Sequence, residues 1–222
     1  MRSLVQPHVL KAAAVGSAMT SLASYPRLVL WSDRPHPLWF LALTLAWASF
    51  ILWSFVFAWH SKFSQCPFFF ARADLKLFST ATGSGLLGAL ALELWIDPVL
   101  RPLVPDDYPA TLESWLAMTL FALSFDQLFL CFAPFAFFLR LTRRPGTAVG
   151  LTVLFGVFLL YFQARARLGQ AALLFVIGLF AWRVVAGLLS VFFLVKGGAL
   201  MTLWWVFLLQ LRHLLHLETP VN

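Results

Sequence analysis

Asp126 and Gln127 stand side by side inside a long apolar run, FDQLFLCFAPFAFFL, with Glu113 and Arg140 as the nearest charges on either side. A carboxylate at mid-membrane depth costs about 2.5–3.5 kcal/mol on insertion scales, so it needs a partner, water or a chemical task. Arg183 lies near the centre of a later apolar run and is the natural counter-charge, making Asp126–Arg183 a structural ion pair at equal depth. Positions three and four apart share a helix face. Ser124, Gln127, Cys131 and Pro134 therefore form one polar or irregular stripe, with Asp126 off its edge. Such a stripe faces protein or water, either as glue between helices or as the lining of a site. The chemistry within its reach is water activation by a carboxylate, or proton and substrate carriage by an Asp126–Arg183 pair. His213 and His216 are spaced i, i+3, but they follow Arg212 at the end of a span, where a solvated, titrating pair is expected rather than a metal site.

The elements that must position these residues are transmembrane helices. Of 222 residues, 61% are hydrophobic and 11% charged, against about 25% charged in soluble domains. The apolar runs are long and dense, without the ~10-residue alternation of an outer-membrane barrel. Only helices then satisfy the backbone within each segment. The expected fold is an all-α polytopic bundle with six spans, at 37–59, 77–95, 112–139, 147–162, 171–195 and 199–215. Residues 1–36 are either an interfacial helix or a weakly hydrophobic seventh span. Arg2, Pro7, His8 and Lys11 interrupt any apolar core that a secretory signal would need.

Several local features refine this plan. Thr80, Thr82, Gly83, Ser84, Gly85 and Gly88 would let a neighbouring helix approach the second span closely. His60, Lys62, Arg72 and Lys76 mark a polar connector, and 96–111 an acidic, proline-rich loop. Lys196, Gly197 and Gly198 break the fifth span from the sixth. Loops 60–76 and 140–146 and the Lys196 turn alternate on one side and hold most of the Lys and Arg, which makes that side cytoplasmic. The basic residues Arg2, Lys11, Arg27 and Arg34 agree with this orientation only if the N-terminal stretch also crosses. The net charge of +7 reads as topology signal and affinity for anionic headgroups, not as nucleic-acid binding. Cys66 and Cys131 make no disulfide framework. HExxH, GxSxG and Walker patterns are absent, so the reading holds no metal and no cofactor.

The layout of 112–216 resembles the CPBP family, the CAAX-processing and bacteriocin-processing intramembrane proteases. That family carries an EExxxR helix, a basic turn, an FxxxH helix and a later helix ending in HxxxN or HxxxD. Here DQLFLC (126–131) stands at the first motif and RLTRRPG at the turn. The run VLFGVFL places Phe155 on the motif phenylalanine and Leu159 on its histidine. LWWVFLLQLRHLLHL looks like the final helix, with Gln210 or His213 near its histidine. Position by position, Glu-Glu has become Asp126–Gln127, Arg has become Cys131 and the first His has become Leu159. The resemblance implies a four-helix core over 112–216, preceded by two accessory spans over 37–111 and followed by a tail, 217–222. It implies a multi-pass protein of a bacterial inner membrane in one of two conditions. Either an altered site processes membrane-anchored proteins, for example at C-terminal sorting signals, with Asp126 as base and Gln127 and His213 as polar helpers, or the site is inactive. Two other classes stand beside it: a scaffold for lipidated or single-span partners, and a small transporter built on Asp126 and Arg183.

Overall fold

The computed structural model describes residues 4–31, 34–64, 67–69, 74–167 and 172–217, and the described residues form helices and connecting turns without a strand. Five helical stretches are long and apolar enough to cross a membrane: α2 (Leu38–His60), α3 (Leu75–Leu103), α4 (Leu112–Thr142), α5 (Pro145–Gln163) and a final stretch, Leu173–His216. A less apolar helix, α1 (Pro7–Leu30), precedes them. Many large apolar side chains, among them Trp47, Leu87, Leu154 and Phe158, are exposed on the outside, as expected of a surface solvated by acyl chains.

The final stretch is too long to be one straight span. Its 44 residues would extend roughly 66 Å at 1.5 Å per residue. The sequence places a break over Lys196, Gly197 and Gly198; only Gly198 leaves the helical region, at φ 76° and ψ −178°. That conformation is essentially restricted to glycine. Around it the chain doubles back into two limbs, α6 (173–197) and α7 (199–216). Twelve residues along a straight helix lie about 18 Å apart. Yet the Thr202 hydroxyl donates to the Ser190 carbonyl at 3.3 Å, and the Phe193 and Trp205 rings are 6.0 Å apart. The N–H freed at the turn, that of Ala199, donates to the Phe68 carbonyl at 2.7 Å. The connector after α2 thus plugs the hairpin, with Phe68 buried between Trp53, His60 and Phe132.

That packing changes the reading of His60. It belongs not to a polar connector but to a π-helical turn, Val56–His60, where it is fully buried against Phe68 and Phe135. The polar part of the connector begins after it.

Helix α1 runs antiparallel to α2 and α4 over their whole depth. Val9 clusters with Ala58, Trp59 and Ala136 at one end. The Ser17 hydroxyl donates to Ala46 at 2.7 Å, and the Trp53 indole donates to Thr20 at 2.9 Å. Farther along, Ser24 meets Ser124 at 3.0 Å, and Arg27 reaches the Asp106 carbonyl and the Asp107 carboxylate. Small residues on α3 admit α7 closely, as their types suggest. A side-chain carbon on Gly85 would meet Leu208 at 2.9 Å, and Thr82 accepts from the Trp204 indole at 3.0 Å. Thr111 and Ser114 form a capping box that starts α4, and Arg143, at φ 54°, ends it in the basic turn. Arg2, Cys66, Arg72, residues 168–171 and the side chains of Arg165 and Arg167 lie outside the described residues.

Candidate functional site

The middle of α4 is not regular α-helix. Ala122–Asp126 and Leu128–Phe132 are π-helical, with i→i+5 bonding that admits extra residues per turn. The extra width re-aims the side chains. Asp126, Gln127, Leu130 and Cys131 come together on the wall of one cavity of about 370 Å³. Ser124 and Pro134 turn away from it. The Ser124 hydroxyl donates to Leu120 at 2.6 Å, which leaves Ser24 of α1 as donor in the pair they form. Pro134 lines a lipid-side crevice with Phe129 and Phe137. The stripe expected at α-helical spacing is therefore split, and Asp126, expected off its edge, sits inside the site.

Five elements close the cavity. Helix α3 supplies Ile96 and Asp97, α5 supplies Thr152 and Gly156, α6 supplies Arg183, and α7 supplies Trp205 and His213. Asp126, Gln127, Arg183 and His213 thus all line a single space. Helix α3 is a wall of this site as much as the four helices of 112–216. Asp126 and Arg183 share the cavity without a direct ion pair among the described residues. The guanidinium instead donates from Nε to the Gly156 carbonyl at 3.3 Å. Asp126 takes no hydrogen bond from a described residue. Leu159, which the family resemblance sets on a motif histidine, is not part of the wall, and Phe155 packs on Phe129 at 5.7 Å instead.

Two of the residues that line it carry a buried polar atom without a hydrogen-bond partner among the described residues: Gln127 Oε1 and Trp205 Nε1. A buried donor or acceptor left unpaired costs about 1–3 kcal/mol. Trp205 is only 1% exposed, so bulk water does not satisfy its N–H.

One end of the cavity is held by charges that the sequence assigns to a loop. Asp97 does not lie in a solvated acidic loop; it opens the helical turn Asp97–Leu103 and is 1% exposed. Two donors reach it, Arg212 Nε at 2.8 Å and the Tyr108 hydroxyl at 2.9 Å. The Arg101 guanidinium lies 5.2 Å over the Tyr108 ring. Burial, and then the Asp97 carboxylate beside it, hold the Tyr108 phenol above its ordinary value near 10. His213 and His216 are not a solvated pair, because the 3₁₀ turn Leu211–His216 folds one inward and the other outward. His213 is buried with its ring 5.4 Å from that of Tyr108, edge to face. His216 instead contacts Glu93, which also faces Arg101 at 3.9 Å. Among the described residues, no group of three His, Cys, Asp or Glu side chains converges as metal ligands.

Sequence reasoning missed Asp97, Tyr108, Arg212 and Trp205 as site residues. The one available signal was Asp97 immediately after an apolar span, where a carboxylate must find a donor. Nothing in the spacing ties it to Arg212, 115 positions away. Compared with known proteins, the chain matches no family model, no curated protein and no solved structure.

Proposed function

We propose that this chain is a CPBP-like intramembrane endopeptidase with an altered site, acting on membrane-anchored proteins. The observation that carries this reading is that Asp126, Gln127 and His213, drawn from α4 and the C-terminal turn, line one cavity. Asp126 is the base that takes a proton from water. Arg183 faces the same space and offers its charge to the developing oxyanion. Gln127 orients the scissile group, and His213, at the end bounded by Tyr108, delivers a proton to the leaving amine. The bundle crosses the membrane seven times in this reading, with α1 as the first crossing and the hairpin at Gly198 as the last two. The basic loops lie in the cytoplasm of a bacterial cell, and the Asp97 end of the cavity opens outside. Co-expression with a single-span substrate carrying a C-terminal sorting tail tests it. Cleavage is expected with the wild-type chain and lost in Asp126→Ala; cleavage that survives that change sinks the assignment.

One observation favours a second reading, a non-catalytic binding protein for lipidated or single-span partners. No imidazole stands beside Asp126: Leu159 is off the wall, and His213 is packed on Tyr108. In that case wild type and Asp126→Ala capture the anchored partner alike, and neither cleaves it.

A further inference from the structure

We infer that the groove between α1, α4 and α7 is a binding site for one anionic phospholipid, its acyl chain lying along the groove and its headgroup at Lys11. The groove holds about 720 Å³, and Lys11 is the one charged side chain among the described residues of its wall. The two hydroxyls of the wall are engaged within the protein: Thr20 accepts from the Trp53 indole, and Ser124 donates to the Leu120 carbonyl. Everything else that lines it is apolar. Lys11 is exposed, in the first turns of α1. The same end is closed by the hairpin tip, where Ala199 and Phe69 line the groove and Lys196, also exposed, precedes the turn. No carboxylate lines the groove, so the charge at its mouth complements an anion.

The dimensions select an acyl chain. On α1 the wall runs from Lys11 to Ala23, roughly 18 Å at 1.5 Å per residue. One leaflet supplies about 15 Å of a 30 Å hydrocarbon core. The groove is thus one chain deep, and a partner helix that crossed the whole bilayer would overrun it. Its aromatic wall has a fixed shape. Trp53 stacks on Phe57 at 5.2 Å, and Phe68 meets Trp53 edge-on at 5.7 Å. Trp53 is held by its bond to Thr20, and Phe68 by the Ala199 N–H on its carbonyl. A slot of this kind, with a cation at its headgroup end, offers a lipid more than the outer faces of the bundle do. The inference goes beyond the endopeptidase reading and does not depend on it.

Trp53 gives the test its reporter. It lies against Gly16 and Thr20, which are roughly 8–14 Å along α1 from Lys11 and therefore at mid-chain depth. Full-length protein is reconstituted in phosphatidylcholine vesicles that contain increasing fractions of phosphatidylglycerol or of phosphatidylcholine brominated midway along the acyl chain. Trp53 quenching is read as the difference between wild type and Trp53→Phe. Half-maximal quenching is expected at an about five-fold lower fraction of brominated phosphatidylglycerol than of brominated phosphatidylcholine, the weight of one lysine near a membrane surface. Lys11→Gln is expected to equalise the two lipids, and Lys11→Arg to keep the preference. Lys62→Gln, which removes a charge outside the groove, is expected to leave it unchanged. If Trp53→Phe does not fold, native mass spectrometry after extraction from an equimolar mixture of the two lipids gives a second readout. Wild type then retains phosphatidylglycerol, and Lys11→Gln loses it. Equal quenching by both lipids assigns the groove to ordinary boundary lipid and overturns the inference. A preference that survives Lys11→Gln, or falls as far in Lys62→Gln, overturns it too, because the attraction then belongs to the basic face as a whole. Absence of Trp53 quenching by either lipid shows that a protein segment or a second copy covers the groove, and equally overturns it.

Discussion

Asp97 shows how a single buried carboxylate organises one end of the molecule. At 1% exposure it is reached by two donors, one from the turn after α3 and one from the end of α7. Tyr108→Phe removes one of them and is expected to cost about 1.5–3 kcal/mol, the worth of a hydrogen bond to a charged group. The same residue gives a pH dependence whose sign is fixed. The Tyr108 phenol is held above its unfolded value near 10. Its contribution is therefore complete below about pH 10 and is lost as the pH rises towards the folded-state value. Thermal unfolding of wild type and Tyr108→Phe should differ by a constant amount up to pH 10 and converge above it. A difference that grows with alkalinity contradicts this. Deeper in the cavity, Asp126 and Arg183 line one space without touching. Because no direct pair is broken, Asp126→Asn or Arg183→Gln alone should cost less than the roughly 3–5 kcal/mol of splitting a buried ion pair. The double variant should cost less than the sum of the two, with a coupling of about 0.5–3 kcal/mol in a double-mutant cycle. Two single variants as stable as wild type show that the charges do not compensate.

At the scale of the elements, the apolar runs announced the helices, and basic residues marked their ends, because length and charge alone decide what can sit in hydrocarbon. What the sequence hid was the phase of α4. Ser124, Gln127, Cys131 and Pro134 share a face only if the helix stays α, and two π-helical segments rotate that face within a few residues. No residue type between 122 and 132 announces a π turn, so Asp126 could be recognised as important but not placed. The hairpin was legible to within two residues, since Lys196–Gly197–Gly198 reads as a break. Its closure by Phe68 was not, because that contact joins Ala199 to a residue 131 positions earlier. The hairpin rests on one conformation that only glycine holds easily. Gly198→Ala should destabilise the protein by about 1–3 kcal/mol from backbone strain. It also sets a side-chain carbon 2.9 Å from the Phe68 and Phe69 carbonyls. Gly83→Ala is the control, since nothing lies within 4 Å of the added carbon and the helix gains propensity. Chemical unfolding in detergent should separate the two variants clearly; equal stabilities remove the special role of Gly198.

At the scale of the whole molecule, the direction of every helix relative to α1 fixes a topology that can be tested without knowing the function. Val9 of α1 lies with Ala58 and Ala136, while Arg27 of α1 reaches Asp106 and Asp107. One helix thus touches both ends of α4. It is 24 residues long, roughly 36 Å at 1.5 Å per residue, enough to match a hydrocarbon core of about 30 Å. Its unusual polarity has an internal outlet. Ser17, Thr20 and Ser24 are buried and hydrogen-bonded to α2 and α4, so they are spared contact with acyl chains. A helix of this kind is sheltered within the bundle although its average hydropathy is low. The turn at Arg143 then lies on the same side as the start of α1, and the Pro105–Asp107 turn lies on the other. In a background lacking Cys66 and Cys131, single cysteines at Thr111 and at Arg143 should react oppositely with a membrane-impermeant maleimide on intact cells. Thr111→Cys is expected to label from outside, and Arg143→Cys only after lysis, if the positive-inside bias holds the Arg140–Arg144 turn in the cytoplasm. A cysteine replacing Arg34, just past α1, should label with the Thr111 position if α1 crosses and with the Arg143 position if it lies on the surface. Labelling of the Arg34 position only after lysis would remove the seventh crossing, and with it the account of why three hydroxyls of α1 are buried against two spans.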